Sequence, residues 1–184
     1  MDLSLVTSNP GKVREIRALL RPHGIEVRPV RRRLPELQAE RLETVVGSKL
    51  DAVDNLDGTV LVEDSGLFIT ALGGFPGVYS AFVLKTLGCV RVAKLLGDQP
   101  RGAVFRTVAG LREGTRRTLF TGEANGRIAG QPRGAGGFGF DPIFVPAGSR
   151  ITFAEMAPTE KNRHSHRARA MEALVRHLER RHPR

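Results

Sequence analysis

The sequence predicts an α/β protein built on a mixed β-sheet with flanking helices. Two patterns predict this fold class. Apolar strands alternate with amphipathic helices in the first third of the chain, and two longer strands are joined by the short turn "REGT" in the second half. Helical crossovers connect parallel strands, whereas a tight turn makes an antiparallel pair, so the sheet should contain both kinds. The number of lobes does not follow from these patterns.

The first half of the chain predicts three strands and two helices. Residues 3–8, "LSLVTS", form the first strand, and Asn9 followed by Pro10 marks a helix start, because Asn caps free N–H groups and Pro has none to satisfy. That helix should stop near Gly24, where "IEVRPV" begins a second strand. The third strand is "GTVLVEDSG", which is expected to end in its two acids. The second helix is marked by Leu42, Val45, Val46, Leu50 and Val53.

The second half predicts a short helix, a hairpin and a long final helix. The short helix covers about 89–96, and the hairpin pairs "AVFRTVAGL" with "RRTLFTGEANGRIAG". The final helix should start near Thr159. Its apolar stripe consists of Met171, Leu174, Val175 and Leu178.

Length and composition bound the class of protein. The 184 residues, of which 40% are hydrophobic, suit one globular domain. No apolar run approaches the ~18 residues of a membrane span, and the start "MDLSLVTSNPGK" lacks the features of a signal peptide. Cys89 is the only cysteine, which excludes an internal disulfide and a Cys-rich zinc site. These features predict a cytoplasmic protein.

The net charge of +10 is compatible with three kinds of partner. Residues 161–184 contain eight Lys/Arg against two Glu, and Arg31, Arg32 and Arg33 form a second basic group. We favour a solvated, arginine-rich surface. A nucleic-acid partner would explain the charge as well, but aromatic residues are few and no nucleic-acid motif is present. A groove for a small polyphosphate would need only three or four of these charges.

Two stretches offer groups that suit phosphate and metal chemistry. "TSNPGK", Thr7 to Lys12, lies at a strand-to-helix junction, where N–H groups and the helix dipole favour an anion. It is not a GxxxxGK[ST] loop, and an ordinary helix cap is the simpler explanation. "VEDSG" places Glu63 and Asp64 at an expected strand end, where ligand sites often form. Their carboxylate oxygens would suit Mg²⁺, and the alternative is a turn whose acids are exposed to solvent. Adjacent strand residues point to opposite faces, so both acids face one ion only if the strand has ended.

Three further stretches are ambiguous by themselves. Glu40 and Glu43 lie at the expected start of the second helix. The helix dipole favours acids there even if they have no other role. "GGFGFDPIF" gives Phe138 and Phe140 a glycine-rich setting in which they could lie against a planar ligand, although most phenylalanines belong to the core. "TEKNRHSHR" crowds basic residues at the start of the last helix, as a solvated surface or an anion site would. Its members are Lys161, Arg163, His164, His166 and Arg167.

Taken together and in order, these stretches resemble the inosine triphosphate pyrophosphatase family, also called non-canonical purine NTP pyrophosphatases. The similarity covers residues 3–170, and "ELQ", "FPGVYS" and "TFAEM" look most like archaeal members. The matching segments are "TSNPGKVREI", "VEDSGL", "GFPGVYSAF", "GFGFDPIF" and "TFAEM…EKNRHSHRARA". Phe140 stands where the family often has Tyr or Trp, and Thr44 stands where many members have Asn.

The resemblance implies a fold, an activity and a cofactor. The fold would be an elongated mixed β-sheet with flanking helices, in which residues 1–184 form a single domain of two lobes around a central nucleotide-binding cleft. The activity would be Mg²⁺-dependent hydrolysis of ITP, dITP and XTP to the monophosphate and pyrophosphate, which clears deaminated purines from the nucleotide pool. Family members are usually homodimers. Neither a membrane nor a specific nucleic acid is expected as a partner.

The resemblance also assigns roles to particular residues. Glu43 and Asp64 would bind the metal. Asp64 would either act as the general base as well or serve as a metal ligand only. The triphosphate would contact Thr7, Ser8, Asn9, Lys12 and Ser65. The base would contact Phe138, Gly139, Phe140, Asp141, Lys161, His166 and Arg167.

Two competing functions remain. A related pyrophosphatase that prefers modified pyrimidine or ordinary nucleotides would share the metal chemistry, and a substrate panel separates it from the first interpretation. A nucleic-acid-binding protein with a degenerate site would show salt-dependent binding without nucleotide hydrolysis. The acids at positions 43 and 64 and the lysine at position 161 are all present, which argues against a degenerate site.

Overall fold

The computed structural model describes residues 1–181. The last three residues, which end the basic stretch 161–184, lie outside the described part. The described residues form a seven-stranded mixed sheet with flanking helices, as the sequence predicts, in the order β2-β1-β3-β5-β6-β7 with β4 paired to β3. The strands are β1 Asp2–Val6, β2 Glu26–Val30, β3 Thr59–Ile69, β4 Pro76–Gly77, β5 Gly102–Glu113, β6 Arg116–Ile128 and β7 Phe144–Pro146.

The pairing of the strands follows the way they are connected. β1 pairs in parallel with β2 and with β3. A helix lies between β1 and β2 in the sequence and another between β2 and β3, as parallel pairing requires. β4 runs antiparallel to β3, and β7 runs antiparallel to β6. The helices are α1 Pro10–Leu20, α2 Leu42–Asp51, α3 Ser80–Thr86, α4 Gly88–Leu95, α5 Pro158–His164 and α6 His166–Arg181.

Three predicted elements differ from the structure. β3 does not end at Glu63 and Asp64 but continues to Ile69, because Leu67 and Phe68 pair with β4. The single short helix expected near 89–96 is the second of two, α3 and α4. The single final helix is likewise two, α5 and α6, because Ser165 has an extended backbone with φ −77° and ψ 144°.

The chain forms two compact units. Unit 1 contains Met1–Asp64, Thr107–Gly122 and the described residues from Arg167 onward. Its core packs the apolar faces of α1 and α6 against one face of the sheet. The largest members are Leu3, Leu5, Ile16, Leu20, Leu61, Leu111, Phe120, Met171, Leu174 and Leu178.

The helix α2 packs against the sheet at a glycine. A Cβ atom on Gly110 of β5 would lie 2.7 Å from Val46 and 2.9 Å from Leu50, so a larger residue there would push the helix outwards. This close approach positions α2, which carries Glu43 and Lys49, on the sheet of unit 1.

Unit 2 contains Ser65–Arg106 and Glu123–His166. Its core is rich in aromatic side chains: Phe105 contacts Phe144 edge to face at 4.9 Å, and Phe144 lies 5.1 Å from Phe153. Leu67, Ile69 and Val92 complete the same cluster. The two-lobe domain expected for residues 1–184 stays a prediction.

Candidate active site

The parallel pairing of β1 and β3 places the start of α1 beside two carboxylates. Leu5 is opposite Leu61, and β1 ends at Val6, so the chain leaves the sheet next to Glu63. The carboxyl ends of parallel strands are where ligand sites form in α/β folds. Lys12, in the first turn of α1, contacts Glu63 Oε2 at 2.6 Å and Asp64 Oδ1 at 3.5 Å with its Nζ atom.

These contacts belong to a larger group of charges in unit 1, which we call the carboxylate–lysine cluster. Lys49 Nζ of α2 lies 3.0 Å from Asp64 Oδ1. Arg167 of α6 donates from Nε and Nη2 to Glu63 Oε1 at 3.0 and 2.8 Å, and its Nη1 donates to Glu15 Oε2. The members are Lys12, Glu15, Lys49, Glu63, Asp64 and Arg167.

Glu63 is the centre of the carboxylate–lysine cluster. The residue is 5% exposed, and it accepts from Lys12, Arg167 and the Thr107 hydroxyl. Burial opposes the charged form of Lys12, yet the carboxylates of Glu63 and Asp64 outweigh this effect and raise its pKa above the ordinary value. Burial opposes the charge of Arg167 as well, but Glu63 and Glu15 raise its pKa. Both cations therefore stay charged at neutral pH.

The stretch from Thr7 to Lys12 forms the predicted helix cap. Asn9 caps α1 with its own side chain: Oδ1 accepts from Gly11 N at 2.8 Å and from Lys12 N at 3.3 Å. Asn9 N in turn donates to Thr7 Oγ1 at 3.1 Å. Three backbone N–H groups of this stretch, those of Asn9, Gly11 and Lys12, thus already donate hydrogen bonds within it. The side-chain groups that could donate to a phosphate include the exposed Ser8 hydroxyl, the Asn9 side-chain amide and the Lys12 ammonium.

Glu43 lies in the first turn of α2, as predicted, and its side chain is 32% exposed. Within residues 1–181 its ion pair is with Arg41, at 3.4 Å, and not with a member of the carboxylate–lysine cluster. Ser65 follows Asp64 on β3 as the first residue of unit 2. The metal and substrate roles predicted for Glu43 and Ser65 stay predictions.

The second group of predicted residues lies in unit 2 around the glycine-rich loop 134–140. Asp141 Oδ2 accepts from Phe138 N at 2.7 Å and from Lys161 Nζ at 2.5 Å. The Lys161 ammonium lies 5.0 Å from the ring centroid of Phe138 and 5.5 Å from that of Phe153, within cation–π range. We call Phe138, Asp141, Phe153 and Lys161 the aromatic–lysine cluster.

The conformation of this loop requires glycine. Gly137 has φ +68°, and a Cβ atom on it would lie 2.1 Å from Asp141 Oδ2. Because a side chain would also be strained at this φ, only glycine lets the loop fold over the carboxylate. Gly139, whose φ is also +68°, accepts from Cys89 Sγ of α4 at 3.4 Å.

Five of the seven residues predicted to contact the base are buried: Phe140, Asp141, Lys161, His166 and Arg167. Phe140 is 2% exposed and packs in the core of unit 2. Asp141 is 2% exposed, and its Oδ2 is used within the loop. The His166 ring stacks on Phe105 with a centroid distance of 4.4 Å and an interplanar angle of 7°. Arg167 contacts Glu63 and Glu15, and the base contacts predicted for these residues stay predictions. Phe138, which is half-buried, keeps surface that a ligand could reach.

Lys49 and Glu15 were missed at the sequence level, and Glu63 was noted without a role. Lys49 could have been found from the sequence, because it lies on the apolar stripe of α2 with Val46 and Leu50. In the structure it is indeed buried, with 8% of its surface exposed. A charged residue on a buried helix face requires a partner. Glu15 gives no such signal, since its partner Arg167 is 152 residues away.

The donor set suits a metal that also binds substrate. In the part of the chain that the structure describes, no three His, Cys, Asp or Glu side chains form a metal-binding group. Mg²⁺ is usually held by one or two carboxylates together with water and substrate phosphates, and Asp64 with Glu43 would supply that number. A metal that relied on protein ligands alone would not fit.

No helix within residues 1–181 is long and apolar enough to cross a membrane.

Comparison with known proteins identifies relatives along the whole chain. The model of the Ham1 family matches residues 3–177. The dITP/XTP pyrophosphatase of Thermococcus kodakarensis is 52% identical over 174 residues, which are 93% of this chain and 94% of that protein. The dITP/XTP pyrophosphatase of Methanopyrus kandleri is 48% identical over 179 residues, 95% of each chain.

Solved structures show the same fold. The HAM1 protein of Coxiella burnetii superimposes with a TM-score of 0.83 at 31% identity, over 98% of this chain and 99% of that one. The Staphylococcus aureus Ham1 protein gives a TM-score of 0.84 at 27% identity, over 99% of this chain and all of the other.

Proposed function

The chain belongs to the Ham1 family, and we propose that it hydrolyses the deaminated purine nucleoside triphosphates ITP, dITP and XTP to the monophosphate and pyrophosphate. The observation that carries the proposal is the carboxylate–lysine cluster at the carboxyl end of β1, where two ammonium groups contact Asp64. Relatives that are about half identical over nearly the whole chain are dITP/XTP pyrophosphatases. Removal of such nucleotides would keep them out of nucleic acids.

We assign the triphosphate and the metal to unit 1. Lys12 and Lys49 supply positive charge, and the Ser8 hydroxyl and the Asn9 side-chain amide supply hydrogen-bond donors, with Thr7 beside them. Ser65, which follows Asp64 in the sequence, is also proposed to contact the triphosphate. Mg²⁺, bound by Asp64 and Glu43 with the phosphates, would neutralise charge and make a bound water more acidic. In this proposal Glu63 does not bind metal, because its side chain is 1% exposed and Lys12 and Arg167 contact its two oxygens, whereas the Asp64 side chain is 18% exposed.

The reaction is a displacement at the α-phosphorus. A water oxygen forms a new bond to that phosphorus, the bond to the bridging α–β oxygen breaks, and pyrophosphate leaves. Asp64 Oδ1 accepts the proton of the water once the lysines have turned to the phosphates. Lys12 and Lys49 stabilise the charge that develops on the leaving pyrophosphate, and preorganised charges of this kind are often the largest contribution to catalysis.

We assign the base to the aromatic–lysine cluster. Phe138 would stack on the purine, and stacking contributes about 1–3 kcal/mol per base. Gly139 would allow the close approach. Lys161 would donate to O6, which hypoxanthine and xanthine have and adenine lacks. Asp141 holds Phe138 N and Lys161 Nζ in place, while Phe140 and His166 form the apolar support behind the loop.

This arrangement explains discrimination against ATP. With adenine the buried Lys161 ammonium would face an amino group, and a donor that meets another donor in place of an accepting oxygen loses a hydrogen bond. Sites of this kind reject the wrong ligand by ~10⁴-fold. GTP has O6 as well, so its rejection requires a contact at position 2.

A substrate panel tests the proposed function. We expect purified protein with Mg²⁺ to release monophosphate and pyrophosphate from ITP, XTP and dITP, and to spare ATP, GTP and dUTP largely. Hydrolysis of all six would keep the phosphate chemistry but contradict the roles of Phe138 and Lys161. Failure to hydrolyse any of them with any divalent cation would contradict the proposed function and favour a nucleic-acid-binding protein.

We also propose that the protein is a homodimer. The resemblance to the family supports this, and so do three exposed aromatic residues near β4 and α3 of unit 2: Phe82 is 65% exposed, Tyr79 45% and Phe75 38%. Aromatic residues are enriched in protein interfaces.

Light scattering after gel filtration tests the dimer. We expect the wild type to have twice the chain mass, and Phe82→Glu to have the mass of one chain, because a carboxylate would be buried in the interface. The control is Leu119→Glu, which introduces the same charge at an exposed residue of unit 1 and should leave the dimer intact. A wild type with the mass of one chain would refute the assignment.

A further inference from the structure

Asp64, which would bind the metal, already forms ion pairs with two lysines. Its Oδ1 atom lies 3.0 Å from Lys49 Nζ and 3.5 Å from Lys12 Nζ. The three side chains are between 11% and 18% exposed, so water screens these pairs only partly. The carboxylate that would bind a cation is therefore already compensated by two cations.

The carboxylate–lysine cluster as a whole is neutral by formal charge. The three carboxylates Glu15, Glu63 and Asp64 are matched by three cations: Lys12, Lys49 and Arg167. A divalent cation added to such a cluster would bring two uncompensated positive charges into a largely buried site. Two like charges at close range repel strongly where the dielectric constant is low.

Lys49 is the member that most directly competes with a metal. Lys12 also contacts Glu63 Oε2 at 2.6 Å, and it therefore keeps a carboxylate partner when it leaves Asp64. Lys49 has Asp64 as its only ion-pair partner within residues 1–181. A metal that binds Asp64 must consequently displace Lys49, which then needs a new anion.

A nucleoside triphosphate supplies what the cluster lacks. It brings several negative charges, which can pair with the displaced lysine, and it brings phosphate oxygens, which complete the ligands of a metal held by only one or two carboxylates. Binding of the nucleotide and binding of the metal then favour each other, and by linkage this coupling must be the same in both directions.

We propose that Lys49 is a placeholder cation, which prevents a divalent cation from binding Asp64 until a nucleoside triphosphate arrives. This proposal rests on the proposed function, because it assumes that the triphosphate and the metal share the site in unit 1. It predicts that the chain alone binds metal weakly, that metal and nucleotide bind as a coupled pair, and that removal of the Lys49 charge removes part of the coupling.

Binding of Mn²⁺, measured by electron paramagnetic resonance of the unbound ion, tests the proposal without any turnover. For the full-length wild type we expect at least tenfold tighter binding of Mn²⁺ in the presence of the non-hydrolysable analogue α,β-methylene-ITP than in its absence. The binding of Mn²⁺ to the analogue alone is measured separately and subtracted. Equal affinity with and without the analogue would overturn the proposal, and this comparison requires no variant.

The variant Lys49→Met tests the residue itself, because methionine fills a similar volume without the charge. We expect it to bind Mn²⁺ at least tenfold more tightly than the wild type when no nucleotide is present. The matched control is Lys94→Met, which removes one exposed lysine from α4 of unit 2 and should leave the Mn²⁺ affinity unchanged. An unchanged affinity in Lys49→Met, or an equal gain in both variants, would refute the role of Lys49.

The outcome is separable from that of the substrate panel. If ITP is hydrolysed but the nucleotide-free wild type binds Mn²⁺ tightly, only the placeholder role is wrong. If no triphosphate is hydrolysed with any metal, the proposed function fails whatever the Mn²⁺ affinities are.

Discussion

Replacement of Asp64 by asparagine should lower kcat for ITP by about 10³-fold or more, while nucleotide binding survives. The change removes the group that accepts the proton and binds the metal, and single catalytic groups of this kind commonly account for such factors. Binding should survive because Lys12 and Lys49 remain, and both lysines are then relieved of a competing carboxylate. Steady-state kinetics give kcat, and calorimetry with α,β-methylene-ITP gives the affinity.

The matched control for this variant is Asp57→Asn. Asp57 is an exposed residue of the same unit that precedes β3, so the same chemical change is made away from the carboxylate–lysine cluster. It should leave kcat and affinity within about twofold of the wild type, because exposed substitutions rarely matter. A kcat within tenfold of the wild type for Asp64→Asn would exclude Asp64 from the chemical step. A loss of nucleotide binding would show that it mainly shapes the site.

The elements that could be predicted from the sequence are those fixed by neighbouring residues. Asn9 and Pro10 announce the start of α1 because a cap is a local hydrogen-bond arrangement, and the structure shows the cap itself. The "REGT" turn joins β5 and β6 for the same reason. The break between α5 and α6 was missed, since Ser165 is neither Gly nor Pro and nothing adjacent marks it.

Contacts between distant residues explain the remaining differences. β3 runs past its two acids because Leu67 and Phe68 pair with β4, which a strand pattern cannot reveal. The contact between the Arg167 guanidinium and Glu63, 104 residues away, could not be predicted from the sequence either. The buried face of α2 could have identified Lys49, whereas the partner of Lys49 became known only from the folded chain.

Glu63 should be the residue whose loss most destabilises the described part of unit 1. Its carboxylate is 5% exposed and contacts two buried cations, Lys12 and Arg167. The variant Glu63→Gln keeps the shape but removes the charge, so that Lys12 keeps its contact with Asp64 and Arg167 its contact with Glu15 while both lose the Glu63 carboxylate. Removal of one member of a buried ion-pair network costs about 3–5 kcal/mol, so we expect the free energy of unfolding to fall by about that amount.

Urea unfolding of four proteins separates the charge network from simple loss of packing. Lys12→Met and the double variant Lys12→Met/Glu63→Gln complete a double-mutant cycle with the wild type and the single Glu63 variant. The double variant should be less destabilised than the sum of the two single variants, because it no longer buries Lys12 beside a neutral side chain. The matched single-residue control is Glu113→Gln, which removes a carboxylate of β5 that lies 3.4 Å from His177, outside the cluster. If Glu63→Gln costs less than about 1 kcal/mol, or if the two single changes simply add, the Glu63 carboxylate does not organise the cluster.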